Sequence, residues 1–108
     1  ASGYEALRYN TTGGSNVAVG KGALDANTTA GENTAVGTNA MGVNTTGANN
    51  VAFGSAALDA NTTASYNTAI GKDALELNTT GSFNTAMGHK SLEANTDGEK
   101  NTAIEKFV

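Results

Sequence analysis

The stretch from Asn61 to Leu77, NTTASYNTAIGKDALEL, is one copy of a seventeen-residue repeat that runs through the chain without insertion or deletion. A repeat this short cannot enclose a hydrophobic core, so each copy must bury its apolar residues against the copies before and after it. The sequence therefore predicts a solenoid of stacked coils. One repeat domain spans residues 1–108, with full coils at 10–26, 27–43, 44–60, 61–77 and 78–94 and partial coils at 1–9 and 95–108.

Both chain ends stand inside a repeat, which predicts a fragment of a longer solenoid. The net charge is −4 and there is no Cys, so disulfides and thiolate chemistry are excluded. The six Lys and Arg form no cluster. No apolar run approaches the roughly 20 residues of a membrane span. We therefore expect no nucleic-acid partner and no membrane insertion.

The segment Asn67-Thr68-Ala69-Ile70-Gly71 and its copies predict a short strand in every coil, because β-branched residues dominate it and Gly ends it. Stacked copies would form a parallel sheet, so the predicted fold class is all-β, a parallel β-solenoid of about six coils. Side chains alternate across a strand, so Ile70 shares a face with Thr68 while Ala69 points the other way. We expect the large apolar residue to be one of two core residues in each coil.

The second strand face is Ala in all six copies, whereas a face on water is normally polar. Either a loop of the same chain or another copy of the chain could pack closely on it. An Ala-rich core buries little apolar area, and joining several solenoids along their Ala faces adds to that area. We therefore expect an oligomer whose shared face consists of Ala18, Ala35, Ala52, Ala69, Ala86 and Ala103.

The segment after each strand, for example Gly71 to Asn78, is rich in residues that favour helix, and Lys72 and Glu76 are spaced for one helical turn. The sequence predicts a single helical or 3₁₀ turn here. Its Leu, such as Leu75, is predicted to be the second core residue. Asn-Thr-Thr followed by Gly or Ala then makes the return bend.

Stacking places identical residues above one another at about 4.8 Å, so two columns of Asn become ladders along the solenoid. Their amides can hydrogen-bond to one another and to the backbone of the bends. A structural role is favoured over ligand binding, and the N-glycosylation pattern at the first column follows from the repeat. The first ladder is Asn10, Asn27, Asn44, Asn61, Asn78 and Asn95, and the second is Asn16, Asn33, Asn50, Asn67, Asn84 and Asn101.

Catalysis requires convergent acids, bases or nucleophiles, and identical groups in every coil form a column instead of a pocket. His89 is the only imidazole and stands where other coils carry Lys, which indicates a surface residue. The acidic column of Asp25, Asp59, Glu76 and Glu93 is interrupted by Gly42, and nearby Lys residues offset its charge. The sequence predicts no enzyme, no metal site and no cofactor.

The strand Asn16-Val17-Ala18-Val19-Gly20 and its copies resemble the S-V-A-I-G strand of trimeric autotransporter adhesin heads, although adhesin repeats are shorter. The full phrase N-T-A-I-G-x-x-A-L-x-x-N-T-T-G is similar to repeats in phage and bacterial tail-fibre proteins, over essentially the whole chain. The resemblance implies a left-handed parallel β-roll, a homotrimer, and a stiff fibre or adhesive head. It also implies an extracellular location in a virion fibre or cell-surface adhesin, with a cell-surface receptor or glycan as partner.

Two other functions are compatible with the repeat. An ice-binding protein uses a flat, regularly spaced rank of Thr, although neighbouring Thr on a strand point to opposite faces. A designed or consensus solenoid is the other alternative. The Thr ladder that would bind ice is Thr11, Thr28, Thr45, Thr62, Thr79 and Thr96.

Overall fold

The computed structural model describes residues 1–105 and shows an all-β parallel solenoid, as predicted. The last three residues of the predicted partial coil 95–108 lie outside the described residues. Each coil from 10–26 onward contributes one three-residue strand, and the six strands form a single sheet in chain order. The strands are β1 (Val17–Val19), β2 (Thr34–Val36), β3 (Val51–Phe53), β4 (Thr68–Ile70), β5 (Thr85–Met87) and β6 (Thr102–Ile104).

The sheet register follows the repeat. Val17 pairs with Thr34, Ala18 with Ala35 and Val19 with Val36, and every later pair of strands has the same seventeen-residue offset. Identical positions of successive repeats therefore lie directly above one another. The result is an elongated body with extents of 36 × 21 × 17 Å.

The segment that follows each strand, for example residues 71–77, is not helical, which corrects the prediction of a helical or 3₁₀ turn. We call it the turn segment. In the coil 10–26, φ is +126° at Gly20, +70° at Gly22 and +51° at Leu24. A helix needs negative φ at every residue. The same left-handed conformation, with φ between 50° and 53°, recurs at Leu7, Leu24, Met41, Leu58, Leu75 and Leu92.

Hydrogen bonding explains why no helix forms there. The amide of Ala23 donates to the carbonyl of Gly20 at 3.2 Å, as in a turn. The amides of Gly22 and Leu24 instead donate to carbonyls of the neighbouring coils, at 2.9 and 3.0 Å. Because alternate amides in this stretch are used for stacking, they are not available for bonds within the segment. No helix occurs anywhere in residues 1–105.

The apolar part of the interior is built from Ala and Leu, with Met41 in one coil, so the strand face that points inward is the opposite of the one expected. Ala69 is fully buried in one cluster with Ala74 and Leu75, while Thr68 and Ile70 point outward. Leu is a core residue, as predicted. Inside a seventeen-residue coil, the space between the strand and the opposite segment holds little more than one Leu and two methyl groups. The larger residue of the strand does not fit there and points outward.

The alanines that were expected to face a second copy therefore line the interior of their own chain. Five are completely buried and the sixth is 2% exposed. They contact the turn segments of the same solenoid, so they are not available to another molecule. This correction applies to Ala18, Ala35, Ala52, Ala69, Ala86 and Ala103.

The Gly that follows each of the first five strands is required by the close approach of successive coils. At Gly54 φ is +142°, and a β-carbon would lie 2.5 Å from the carbonyl oxygen of Gly71 and 2.6 Å from its carbonyl carbon. Both atoms belong to the backbone and cannot move aside. Only Gly allows the coils to stack at this position.

Candidate interaction surfaces

The outward side of the sheet is a continuous surface, which we call the outward sheet face. Two residues of every strand contribute to it, and none of the twelve is charged. All are exposed or half-buried, with Phe53 and Ile104 exposed to 55% and 62%. The outward sheet face consists of Val17, Val19, Thr34, Val36, Val51, Phe53, Thr68, Ile70, Thr85, Met87, Thr102 and Ile104.

Charge is concentrated on the turn segments, away from this face. Arg8 forms ion pairs with Glu5 at 2.7 Å and with Asp25 at 2.9 Å. Lys90 pairs with Glu93 at 3.8 Å. The solenoid is therefore two-sided, with a charged surface over the turn segments and an uncharged one over the sheet.

A second cluster of ionisable side chains surrounds Asp73, whose side chain is nearly buried. Its carboxylate lies 2.6 Å from Lys72 Nζ and 4.0 Å from His89 Nε2. Burial, together with the negative charge of Asp73, raises the pKa of Asp59. Within residues 1–105, no three or more His, Asp or Glu side chains gather in a group that could hold a metal ion.

The first Asn ladder runs through the interior. Nδ2 of Asn44 donates to Oδ1 of Asn27 at 3.0 Å and to the carbonyl of Gly47 at 2.9 Å. The bond between neighbouring side chains recurs at 2.8 to 3.1 Å from Asn10 to Asn95. Asn27, Asn44, Asn61 and Asn78 of the N-glycosylation pattern are thus fully buried and not available for modification after folding, whereas Asn10 is half-buried.

The second ladder joins side chains to backbone. Oδ1 of Asn33 accepts the amide of Asn50 at 2.9 Å, and Nδ2 of Asn33 donates to the carbonyl of Gly47 at 2.8 Å. The carbonyl of Gly47 thus accepts from both ladders, through Asn33 and Asn44. Among the described residues, no buried side-chain nitrogen or oxygen lacks a partner. The buried polar side chains of the described residues therefore all have hydrogen-bond partners.

The Thr ladder proposed for ice binding makes bonds within the chain. The hydroxyl of Thr11 donates to the carbonyl of Thr28 at 3.1 Å, and three of the other five members do the same at 3.1 to 3.4 Å. These residues lie on the return bend and not on the sheet. Ice binding through this ladder therefore has little geometric support.

Tyr66 and Phe83 form the most irregular feature of the surface. Their rings stack in parallel, with centroids 5.0 Å apart, and both side chains are more than half exposed. Each has a left-handed backbone, with φ of 61° and 62°, which is unfavourable for a bulky residue. The other coils carry Ser15, Glu32, Asn49 and Lys100 at this position.

Sequence reasoning missed the outward sheet face, because it assigned the large apolar residues to the core. A signal for the left-handed positions was present in the column Glu5, Gly22, Asn39, Ala56, Asp73 and Lys90, where Gly, Asn and Asp occur. No such signal marks the Leu column.

Comparisons with protein families, curated proteins and solved structures find no match. In the described part of the chain, no helix has the length and apolar character needed to cross a membrane.

Proposed function

We propose that this chain is a structural and recognition module of an extracellular fibre or adhesin head. Three copies lie side by side around one axis, each wound as a left-handed roll, and together they form a rigid segment of a virion fibre or cell-surface adhesin. The observation that carries the proposal is an uncharged outward sheet face that runs the length of a solenoid and has no cover in the single chain.

The internal bonding of the solenoid supports a mechanical role. Each coil is joined to the next by strand pairing, by backbone bonds between turn segments and by both Asn ladders. Bending the stack would stretch all of these bonds on one side at once. A body of this kind suits a spacer that keeps its length under load.

The recognition part of the proposal is assigned to Tyr66 and Phe83. The other coils carry Ser, Glu, Asn or Lys at this position with the same left-handed backbone, so the fold does not require an aromatic residue there. Aromatic side chains are common anchors in binding interfaces. A cell-surface receptor or glycan is the proposed partner. Replacing both residues by Ser should abolish retention on cell surfaces or glycan arrays, whereas Tyr4→Ser, at another exposed aromatic, should leave it intact.

Sedimentation equilibrium from micromolar to millimolar protein tests the assembly. The expected mass is three times the 10.8 kDa of the chain. A monomer throughout this range would contradict the proposed function.

A further inference from the structure

We propose that the outward sheet face is the surface on which a second copy of this chain packs, with its coils level with those of the first. The inference rests on the proposed function and names the face through which that assembly forms. It replaces the Ala face, which is internal.

The composition of the face is that of an interface centre. Interface centres are depleted of charge and enriched in aromatic residues and Met, and their rims are polar. None of the twelve residues of the outward sheet face is charged, and Phe53, Ile70 and Met87 are neighbours on β3, β4 and β5. The row beside it consists of polar residues, which provide the rim: Lys21, Thr38, Ser55, Lys72 and His89.

The spacing of the face identifies the partner as another copy. Its side chains repeat at about 4.8 Å along the stack, because each coil supplies one strand. Around one shared axis, each neighbouring solenoid with the same spacing can place its rows level with those of the first, so that the side chains of the faces meet row by row. A partner with a different spacing could not align its side chains with these rows, and gaps would remain in the interface.

The size of the face determines how strong the association is. Six strands at about 4.8 Å give a length of about 29 Å, and two outward residues per strand give a width of about 12 Å, hence about 350 Å² on each chain. A standard interface buries about 800 Å² on each partner. Association of this chain should therefore be weak and concentration-dependent, and it should strengthen with each added coil.

The experiment compares two double variants with the same change in charge. Phe53→Glu with Ile70→Glu introduces two carboxylates into the outward sheet face. Val43→Glu with Leu77→Glu introduces two carboxylates at exposed apolar positions of the turn segments. Sedimentation equilibrium of the wild type and both variants is the measurement, with circular dichroism to verify folding.

We expect the association constant to fall at least tenfold in the face variant and to stay within twofold of the wild type in the control. If the wild type associates and both variants associate equally, the inference is overturned while the proposed function stands. If the wild type is monomeric, both fail. Should the Glu variant not fold, Phe53→Ser with Ile70→Ser takes its place under the same criteria.

Cross-linking provides a second readout, because the chain has no Cys. Thr68→Cys lies at the centre of the outward sheet face and Val43→Cys lies outside it. Under mild oxidation the first should form disulfide-linked dimers at least tenfold faster than the second. Equal rates would overturn the inference.

Discussion

The side-chain amide of Asn44 donates a 3.0 Å hydrogen bond to the side-chain oxygen of Asn27 in the preceding coil, and both side chains are fully buried. Seventeen residues separate them in sequence, yet they are nearest neighbours in the ladder. A buried polar group that loses its partner destabilises the fold by about 1–3 kcal/mol. The ladder therefore stabilises the interior through the pairing of its buried amides.

Asn44→Ala should lower the free energy of unfolding by about 2–4 kcal/mol, because it removes two donated bonds and leaves Oδ1 of Asn27 without a donor. Urea unfolding followed by circular dichroism measures the change. Thr46→Ala, at an exposed position of the same bend, is the control and should stay within about 0.5 kcal/mol of the wild type. Equal effects of the two substitutions would show that the ladder is not a stabilising element.

Ala52→Val should destabilise the fold by about 1–3 kcal/mol, because it adds two methyl groups to an interior without space for them. Thr68→Val places the same side chain on the outward sheet face and should have little effect on unfolding. Thermal unfolding of the two variants distinguishes the two faces of the strand. If Thr68→Val were the more harmful, the assignment of inside and outside would be wrong.

Gly54→Ala should destabilise by more than about 2 kcal/mol, because its β-carbon would overlap the backbone of Gly71 and φ is positive. Gly14→Ala is the matched control, since nothing lies within 4 Å of its β-carbon. We expect Gly14→Ala to be neutral or to stabilise by up to about 1 kcal/mol. Chemical denaturation of both variants tests the prediction, and a tolerated Gly54→Ala would exclude the close approach of the coils.

Asp59 predicts a pH dependence of stability. Its pKa is raised above the ordinary value of 3.8 in the folded state, so ionised Asp59 opposes folding near neutral pH. Asp59→Asn should therefore raise the melting temperature at pH 7. Well below pH 3.8 the carboxyl is protonated in both folded and unfolded states, so this electrostatic difference should shrink as the pH falls. Glu99→Gln, which removes an exposed carboxylate, should change little at either pH. A gain at pH 7 that persists unchanged at pH 3 would refute this explanation.

The repeat predicted the solenoid, the position of each strand and the one-coil register, because a fixed period allows only one alignment of successive coils. Period-two alternation also showed that Thr68 and Ile70 share a face. It could not show which face is internal, since both are apolar or nearly so. Size suggested that Ile70 lies inside, but the interior of a narrow coil admits only the methyl group of Ala69.

The turn segments were mispredicted for a related reason. Helix propensity describes a chain that bonds to itself, whereas here alternate amides around Leu24 bond to neighbouring coils. The positive φ of Leu24 is unfavourable in isolation and is stabilised by complete burial of its side chain. Such a conformation depends on contacts between coils and cannot be inferred from one repeat.

The first Asn ladder has a direction. Each side chain donates toward the N-terminal end of the stack and accepts from the coil on its other side, so the amide dipoles are parallel and polarise one another. The N-terminal end of the ladder presents a side-chain N–H, and the C-terminal end presents a lone pair on a side-chain oxygen. Every coil added to the ladder must donate its side-chain hydrogen bond in the same direction. A coil inserted upside down would place one donor against another.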